Sequence, residues 1–410
     1  MTTLARKLQS RNHDVVFISW PDGEPSVRAA DLTFLSCAVK EIAAAPLKER
    51  PRWQELQGEE ALRAALQNAA ARTEAMLNSL PATLTAAGVD AVVLDTALMC
   101  VELAPMSLGM PYIHVSVALH RDYSGSTPPY FYDWPHETTP AALARNRKGV
   151  ESFLKMLAPT IAVARAYAKR AGLDVDWDNP SATISNLAWI TQTPREFDFE
   201  SSHWPKEFHY TGPFHDGAGR MDVDFPWKRL AGEPLIYASM GTMLDGLADV
   251  YSTIIAAAAK HKGVQLVLSL GDQLNPEQIG SLPTNTILVE HAPQLELLKR
   301  ASVCITHAGL NTVLESLAQG VPQVAIPVTY DQPAVAARIG HKQTGVVVSL
   351  DKLTADHLSS LLDKVLTNSI YRDNARKLQK AIAKANGLSL AADLVEESLG
   401  VRKKDRQSAK

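Results

Sequence analysis

The second half of the chain alternates short apolar segments with helical patterns, and no other feature constrains the fold as strongly. Consecutive strands joined by helices pair in parallel, and the helices then cover both faces of the sheet. We therefore predict a doubly wound parallel α/β sheet in this half. The strand candidates are PLIYASM (234–240), VQLVLSL (264–270), TILVEHA (286–292), SVCITH (302–307), QVAIPV (323–328) and GVVVSL (345–350), and further helical patterns lie near 354–366, 371–385 and 388–399.

The first half alternates less regularly but also predicts an α/β unit. Its strand candidates are DVVFIS (14–19), LTFLSC (32–37), AVVLDT (91–96), YIHVSVA (112–118) and ATISNLAWITQ (182–192), with helical patterns at 58–87, 98–109 and 147–171. Because 410 residues exceed what one hydrophobic core usually fills, two domains are expected. A stretch rich in Gly, Pro and Asp separates them. We predict an N-terminal domain at 1–213, a linker at 214–232, a C-terminal domain at 233–385, and a C-terminal helix with a basic tail at 386–410.

Composition and charge exclude several classes of protein. Hydrophobic residues make up 46% and charged residues 21% of the chain, as in ordinary globular proteins. The net charge of −3 gives no field that would attract nucleic acid. No apolar run approaches a membrane span and no signal peptide is recognisable, so we expect a cytoplasmic protein. The three cysteines lie far apart beside apolar residues, which is typical of buried thiols in a reducing compartment.

One segment, HAPQLELLKRASVCITHAGLNTVLESLAQGVPQVAIPVTYDQ (291–332), carries most of the chemistry. A predicted strand ends at His307, at the edge where open α/β sheets bind their ligands. Gly309 allows the backbone to approach a ligand closely, and Asn311 and Thr312 lie in the first turn of the helix that follows. Because the free N–H groups of a helix start bind anions, this turn is a candidate phosphate site.

Three acidic or amide side chains extend this candidate site. Glu315 lies one helical turn after Asn311, where a carboxylate suits a pair of ribose hydroxyls. Asp331 and Gln332 follow the next strand, where they are placed to bind sugar hydroxyls. Taken singly, such residues are more typical of a solvated acid or a helix N-cap. Together, at adjacent strand ends, they favour a nucleotide-sugar site.

The sequence ITHAGLNTVLESLAQGVPQVAIPVTYDQ (305–332) resembles the donor-binding signature of the GT-B fold, family 1 UDP-glycosyltransferases. HAPQ (291–294) and SMGT (239–242) lie where that family has matching motifs, and the similarity extends over nearly the whole chain. The chain is similar to bacterial glucosyltransferases of secondary metabolism, of the zeaxanthin and macrolide type. The resemblance implies two facing Rossmann-like domains with the active site in the cleft, and an inverting displacement. It implies no metal and no cofactor, the UDP-sugar being a co-substrate.

Carried over residue by residue, the resemblance implies a full donor site. Ser239, Gly241 and Thr242 line the diphosphate, His307, Gly309, Asn311 and Thr312 hold the phosphates, Glu315 binds the ribose, Gln294 reaches the uracil, and Asp331 with Gln332 binds the sugar. His291 stands where many relatives stack a tryptophan on the base, so uridine and another pyrimidine both stay open. Gln332 and the donor sugar that the family usually uses favour glucose as the donor sugar here.

The acceptor is expected on the first domain, again at strand ends. The loop LHRDYSGSTPPYFYDWPH (119–136) follows a predicted strand and is rich in aromatic residues. These side chains either line an apolar acceptor pocket or fix the loop onto the domain. The acceptor candidates are His120, Tyr123, Phe131 and Trp134. We expect a hydrophobic acceptor of carotenoid, terpenoid, polyketide or flavonoid type, and a lipophilic acceptor would bring the protein to a membrane surface.

The catalytic base that the resemblance implies is not found in the sequence. The family carries it as a histidine in a Gly-His-x-x-Pro-like loop between the first strand and the first helix, and that helix corresponds to residues 1–11 here. Asp95 matches the aspartate that orients this histidine. His13 follows the helix and is no substitute. We therefore expect the first strand of the N-terminal domain to be missing, through a misassigned start or a true loss of the base.

Two classes of function stay open. The first is metal-independent transfer of a hexose from a UDP-sugar to a hydroxyl of a hydrophobic acceptor, impaired by loss of the histidine. The second is a catalytically inactive sugar-nucleotide-binding or regulatory protein. Another enzyme of this fold, a UDP-GlcNAc epimerase or a cell-wall N-acetylglucosaminyltransferase, is a further alternative. Two bare DxD patterns, at 174–176 and 222–224, lie in predicted loops with no buried strand leading into them, so we expect no metal site there.

Overall fold

The fold was derived from a computed structural model, which describes residues 1–38, 58–201, 203–217, 223–241, 247–271, 279 and 282–401, with the backbone alone for 58–67. Thr242 and part of the predicted linker lie outside the described residues. Each half of the chain forms a parallel α/β unit, as the strand–helix alternation predicts.

The N-terminal half contains two separate parallel sheets. Its strands are β1 (Val16–Ser19), β2 (Thr33–Ser36), β3 (Val92–Asp95), β4 (Tyr112–Ser116), β5 (Trp189–Thr191) and β6 (Phe208–Tyr210), and its helices are α1 (Thr2–Ser10), α2 (Glu24–Ala29), α3 (Gly58–Ala87), α4 (Leu103–Ser107), α5 (Pro140–Met156) and α6 (Ala158–Ala171). Strand β1 pairs with β2, and β3, β4, β5 and β6 form a four-stranded sheet in that order. Within the described residues no strand joins β1 to β3, so the sheet of this half is divided.

Two helices of this half differ from prediction. The predicted helix at 147–171 is part of two helices, α5 and α6, because Pro159 removes a backbone donor and crowds the preceding turn. The predicted helix at 98–109 is restricted to α4, since the chain first turns through Cys100 with a left-handed backbone (φ 64°). The short strand β6 was not predicted.

The C-terminal half forms one continuous six-stranded parallel sheet. Its strands are β7 (Leu235–Ser239), β8 (Gln265–Ser269), β9 (Thr286–Val289), β10 (Ala301–Thr306), β11 (Gln323–Ala325) and β12 (Gly345–Val347), and its helices are α7 (Ala248–Ala258), α8 (Gln294–Leu298), α9 (Leu310–Ala318), α10 (Gln332–His341), α11 (Ala355–Thr367) and α12 (Ser369–Ala385). The strand order is β12-β11-β10-β7-β8-β9. The order reverses between β7 and β10, and such a switch point is where doubly wound sheets bind ligands.

The last described helix, α13 (Gly387–Ser398), returns to the N-terminal half. Leu388 packs in one apolar cluster with Leu4 of α1 and Ile113 of β4. Where the chain crosses back, a side chain at Gly387 would bring a carbon within 2.5 Å of the Gly212 backbone. Only glycine fits such a close approach. The predicted C-terminal helix is therefore part of the N-terminal core.

No helix among the described residues is both long and apolar enough to span a bilayer.

Candidate active site

The loops that leave β7 and β10 form the floor of the candidate donor site. The two strands are neighbours, with Ser239 opposite Thr306 in the register, so both chains emerge side by side at the switch point. The β10 chain passes through His307 and Ala308, and α9 then begins after Gly309. Ala308 has a left-handed backbone (φ 65°), a conformation that non-glycine residues adopt mainly where function or packing imposes it.

Two glycines, Gly241 and Gly309, pack closely against the His307 ring. A Cβ at Gly309 would lie 2.4 Å from His307 Nε2, and a Cβ at Gly241 would lie 2.8 Å from His307 Cε1. Real Cβ atoms do not approach ring atoms so closely, so the imidazole fits only because both neighbours lack a side chain. The predicted donor residues Gly241, His307 and Gly309 are thus packed against one another where the loops after β7 and β10 meet.

His307 presents a neutral ring to the start of α9. Burial lowers its pKa to about 4, while a hydrogen bond to the backbone of Ser239 acts in the opposite direction. Its Nδ1 atom is shielded from solvent and has no hydrogen-bond partner among the described residues. A neutral imidazole has a single N–H, so the main donors for a ligand anion in this turn are the N–H groups at the start of α9, which has no side-chain cap.

Gln294 and Glu315 lie together at one end of this turn. Gln294 Nε2 donates to Glu315 Oε2 over 2.6 Å, and Gln294 Oε1 accepts from the Tyr237 hydroxyl over 2.9 Å. Glu315 is 3% exposed, and Thr312 beside it is also buried. His291 is partly exposed, with Nε2 lying 3.8 Å from Glu290 Oε1. Tyr237 was not predicted, although a tyrosine inside an apolar strand signals a buried hydroxyl that needs a partner.

Asp331 and Gln332 lie at the start of α10, on the other side of the turn. Gln332 Oε1 accepts from the backbone N–H groups of Val328 and Thr329 over 2.9 and 3.0 Å, which fixes the loop after β11. Asp331 Oδ2 accepts from the backbone N–H of Leu119 over 3.0 Å. Because Leu119 belongs to the N-terminal half, Asp331 lies at the contact between the two halves.

A second contact crosses the cleft beside α9. Gln192 Nε2 donates to Asn311 Oδ1 over 2.7 Å. Gln192 follows β5 of the N-terminal half and was not predicted from the sequence, where nothing distinguishes it from other strand-end amides. The described state therefore has Asn311 and Asp331, both predicted to bind the donor, in contact with the opposite half.

Asp95 ends β3 in a buried, positively charged environment. Burial raises the pKa of its carboxyl group, against the backbone N–H of Ala97 and the nearby charge of Arg121. Arg121 Nη1 donates to the Thr96 carbonyl over 2.8 Å, and its guanidinium lies over the Tyr130 ring. Among the described residues no histidine hydrogen-bonds to Asp95. Arg121 was not predicted, although it is a single cation at a strand end in an aromatic-rich loop.

The His120 ring is buried inside the N-terminal half. Its Nε2 lies 2.8 Å from Asp198 Oδ2, and its ring is enclosed by aromatic side chains that include Trp204 and Phe208. His120 is 2% exposed and its ring is held in this buried contact with Asp198. Tertiary contacts with a distant aspartate decide where the His120 ring lies, so the structure does not place it at the acceptor side and its role there stays a prediction.

Of the other acceptor candidates, the structure places one at a cavity. Tyr123 lines a cavity of about 360 Å³ in the N-terminal half. Phe131 instead packs on Phe153, and Trp134 stacks on Tyr132, so these two fix the loop onto the domain and the prediction for them is not supported. The cavity is lined by Thr96, Leu98, Met99, Cys100, Glu102, His114, Arg121, Tyr123, Leu154, Ala158, Ile161, Val175, Trp177, Asp178, Asn179, Pro180, Ala182, Thr183, Ile184 and Trp189.

Comparisons with known proteins show what the chain is similar to in sequence and in fold. Residues 226–385 match the model of the family described as UDP-glucoronosyl and UDP-glucosyl transferase. The zeaxanthin glucosyltransferase of Pantoea ananas is 29% identical over 412 residues, covering 97% of this chain and 92% of the relative. The oleandomycin glycosyltransferase of Streptomyces antibioticus is 29% identical over 298 residues, covering 65% and 68%. In structure, the calicheamicin glycosyltransferase CalG4 superimposes with a TM-score of 0.73 at 20% identity, covering 98% and 94% of the two chains.

The two parallel-sheet units have the GT-B fold of the solved glycosyltransferase on which they superimpose. Residues 226–385 of the chain match the UDP-glucoronosyl and UDP-glucosyl transferase family, and the chain as a whole is similar to glycosyltransferases of the zeaxanthin and macrolide types. The resemblance stated from the sequence is thereby confirmed.

Proposed function

We propose that this protein transfers glucose from UDP-glucose to a hydroxyl of a hydrophobic small molecule. The observation that carries the proposal is the turn at the start of α9, where the helix begins after Gly309 without a side-chain cap and the neighbouring His307 ring is packed against Gly241 and Gly309. This arrangement suits a diphosphate, whose charge the helix start stabilises. A relative named for glucose transfer to zeaxanthin supports both the sugar and an apolar acceptor.

In this proposal the donor lies across the carboxyl ends of β7, β10 and β11. The diphosphate contacts Ser239, Gly241 and the α9 turn, with Thr242 assigned to the same group from the sequence. Glu315 binds the ribose, Gln294 and His291 contact the base, and Asp331 with Gln332 binds the sugar. Since Asp331 accepts from Leu119 in the described state, donor binding exchanges that contact for a sugar hydroxyl.

The chemical step is an inverting displacement. The acceptor oxygen attacks the anomeric carbon, the bond from that carbon to the diphosphate oxygen breaks, and UDP leaves as an anion. Charge develops on the diphosphate as it departs, and the N–H groups at the start of α9 stabilise this charge without a metal ion. The acceptor proton passes to water, because the histidine base that the resemblance implies is not found in this sequence and Asp95 is the carboxylate left at its position, so we expect the transfer to be slow.

A second candidate function rests on the surroundings of Asp95. Because no described histidine hydrogen-bonds to this carboxylate, the chain also fits a sugar-nucleotide-binding protein that performs no transfer. Such a protein would use the same donor site and would differ only in its turnover.

The two candidates are separated by one assay. The protein is incubated with UDP-glucose and a panel of hydrophobic alcohols and phenols, and UDP release and glucoside mass are measured. We expect acceptor-dependent UDP release that Asp331→Asn abolishes and that Asp351→Asn, on an exposed turn, leaves unchanged. Binding of UDP-glucose without any product would favour the non-catalytic alternative, and failure to bind UDP-glucose would contradict both.

A further inference from the structure

The cavity of the N-terminal half has polar groups at two separate ends. We call the end next to Asp95, where the Arg121 guanidinium donates to the Thr96 carbonyl, the outer end of the cavity. At its inner end Glu102 and His114 form a polar floor, although they are 4% and 2% exposed. Buried polar groups are costly unless they have partners, so a polar floor under an apolar cavity calls for an explanation.

The hydrogen bonds of His114 determine what its ring can offer to a ligand. The backbone N–H of Ser185 donates to His114 Nδ1 over 3.1 Å, so Nδ1 carries no proton. In the neutral ring the proton is then on Nε2, which is a donor and not a base. His114 therefore cannot take the proton from the acceptor, but it can donate a hydrogen bond into the cavity.

Glu102 supplies the matching acceptor. Its Oε1 accepts from the Thr183 hydroxyl, while Oε2 lies 3.8 Å from His114 Nε2. This separation is longer than a direct hydrogen bond. One hydroxyl oxygen placed against both groups would accept from His114 and donate to Glu102, so the pair has the pattern that recognises an alcohol or a phenol.

The floor lies deeper in the cavity than the outer end by about one same-face step of the sheet. His114 pairs with Leu94, and Thr96 follows two residues later on the same face, with its hydroxyl bonded to Ser116. Two residues of a strand span roughly 7 Å. A ligand that reaches both ends must carry two oxygens separated by about this distance.

We propose that the cavity selects a compact acceptor with two hydroxyls, one that reacts at the outer end and a second that is bound by Glu102 and His114. The inference rests on the proposed function and specifies its acceptor class. A volume of about 360 Å³ lies near the lower limit of small-molecule sites, which fits a fused-ring or similarly compact diol. The apolar middle, lined by residues such as Leu154, Ile161 and Trp177, packs on the ring system.

Calorimetric titration of three probes onto the full chain, without donor, tests this assignment. 2,6-Dihydroxynaphthalene carries oxygens at opposite ends, 2-naphthol lacks the second oxygen, and 2,3-dihydroxynaphthalene has both oxygens at one end. We expect the 2,6-isomer to bind about tenfold more tightly than the other two, since one well-placed hydrogen-bonded hydroxyl contributes about that factor. Equal affinity for all three probes would overturn the proposal.

Two acid-to-amide variants locate the effect within the cavity. Glu102→Gln, which replaces one acceptor oxygen with a donor, should remove the tenfold preference while leaving 2-naphthol affinity unchanged. Asp178→Asn alters another acid of the same lining and should preserve the preference. A preference that survives Glu102→Gln would contradict the assignment. A parallel titration with UDP keeps the outcomes distinct, because loss of UDP binding would count against the proposed function and not against the diol site.

Discussion

At the scale of single residues, the donor turn depends on a histidine enclosed by glycines. The His307 ring occupies the space that side chains at Gly241 and Gly309 would need. It is buried there, and burial lowers the pKa of the ring to about 4. The neutral form is therefore the one that the fold stabilises. An unfolded chain has no such preference, because the pKa of a solvated histidine is about 6.5.

This pKa difference predicts that the protein loses stability in mild acid. Between about pH 6.5 and pH 4 the unfolded state binds the proton that folded His307 resists, so the free energy of unfolding falls as the pH is lowered through this window. We expect His307 to account for a loss of about 2 kcal/mol on going from pH 7 to pH 4.5. Denaturant titrations at both pH values measure it.

Two variants isolate this contribution. His307→Asn should show a smaller fall in stability between the two pH values than the unaltered protein. His357→Asn, at an exposed position, should show the full fall. A pH dependence that is the same in all three proteins would contradict the assignment to His307.

At the scale of elements, the two halves differ in how their sheets are completed. Strand β10 is paired on both sides, by β7 and by β11, within a continuous six-stranded sheet. In the described part of the other half, β1 pairs with β2 alone, and a two-stranded sheet is marginally stable by itself. Backbone N–H groups at the edges of a small sheet become exposed to solvent more readily than those inside a continuous sheet.

Hydrogen exchange should therefore separate the two sheets. We expect the amides of β1 and β2 to exchange at least tenfold faster than those of β7 and β10, because fewer backbone and apolar contacts must break to expose them. Mass spectrometry of exchanged peptides from one sample measures both sets under the same conditions. Equal protection of the two sets would contradict this difference.

The elements also show what the sequence can and cannot predict. Long apolar runs such as those of β7 and β8 are predictable, because burial on both faces leaves a plain apolar pattern. The three residues of β6 carry no such pattern. The place of His120 could not be predicted for a different reason: its partner, Asp198, is 78 positions away, and periodicity carries no information about such contacts.

At the scale of the whole molecule, a buried ion pair connects the two halves. Asp198 of the N-terminal half accepts from Arg338 Nε of α10 over 2.7 Å, with both side chains nearly inaccessible to solvent. His120 and the Tyr210 hydroxyl also contact this carboxylate. The positive charges hold the pKa of Asp198 well below its usual range despite burial, so the group stays ionised and the contact persists in acid.

Removing one partner should be costly. Asp198→Asn leaves the charge of Arg338 buried without its counter-charge, and breaking such a pair typically costs 3–5 kcal/mol, so we expect a loss of about that size in the free energy of unfolding. The double variant Asp198→Asn, Arg338→Met should recover part of the loss. Glu296→Gln, which breaks an exposed pair with Lys299, should leave stability nearly unchanged, because water and salt screen exposed ion pairs. Equal effects of the buried and exposed variants would contradict this account.

The central claim is that the turn between β10 and α9 binds a nucleoside diphosphate, and a calorimetric titration with UDP tests it most directly. We expect the unaltered protein to bind UDP, and Gly309→Ala to weaken binding at least tenfold because its methyl carbon would lie 2.4 Å from His307 Nε2. Gly340→Ala, where the nearest atom is 3.9 Å away, should bind as the unaltered protein does. Absence of UDP binding, or equal affinity of Gly309→Ala and the unaltered protein, would contradict the claim.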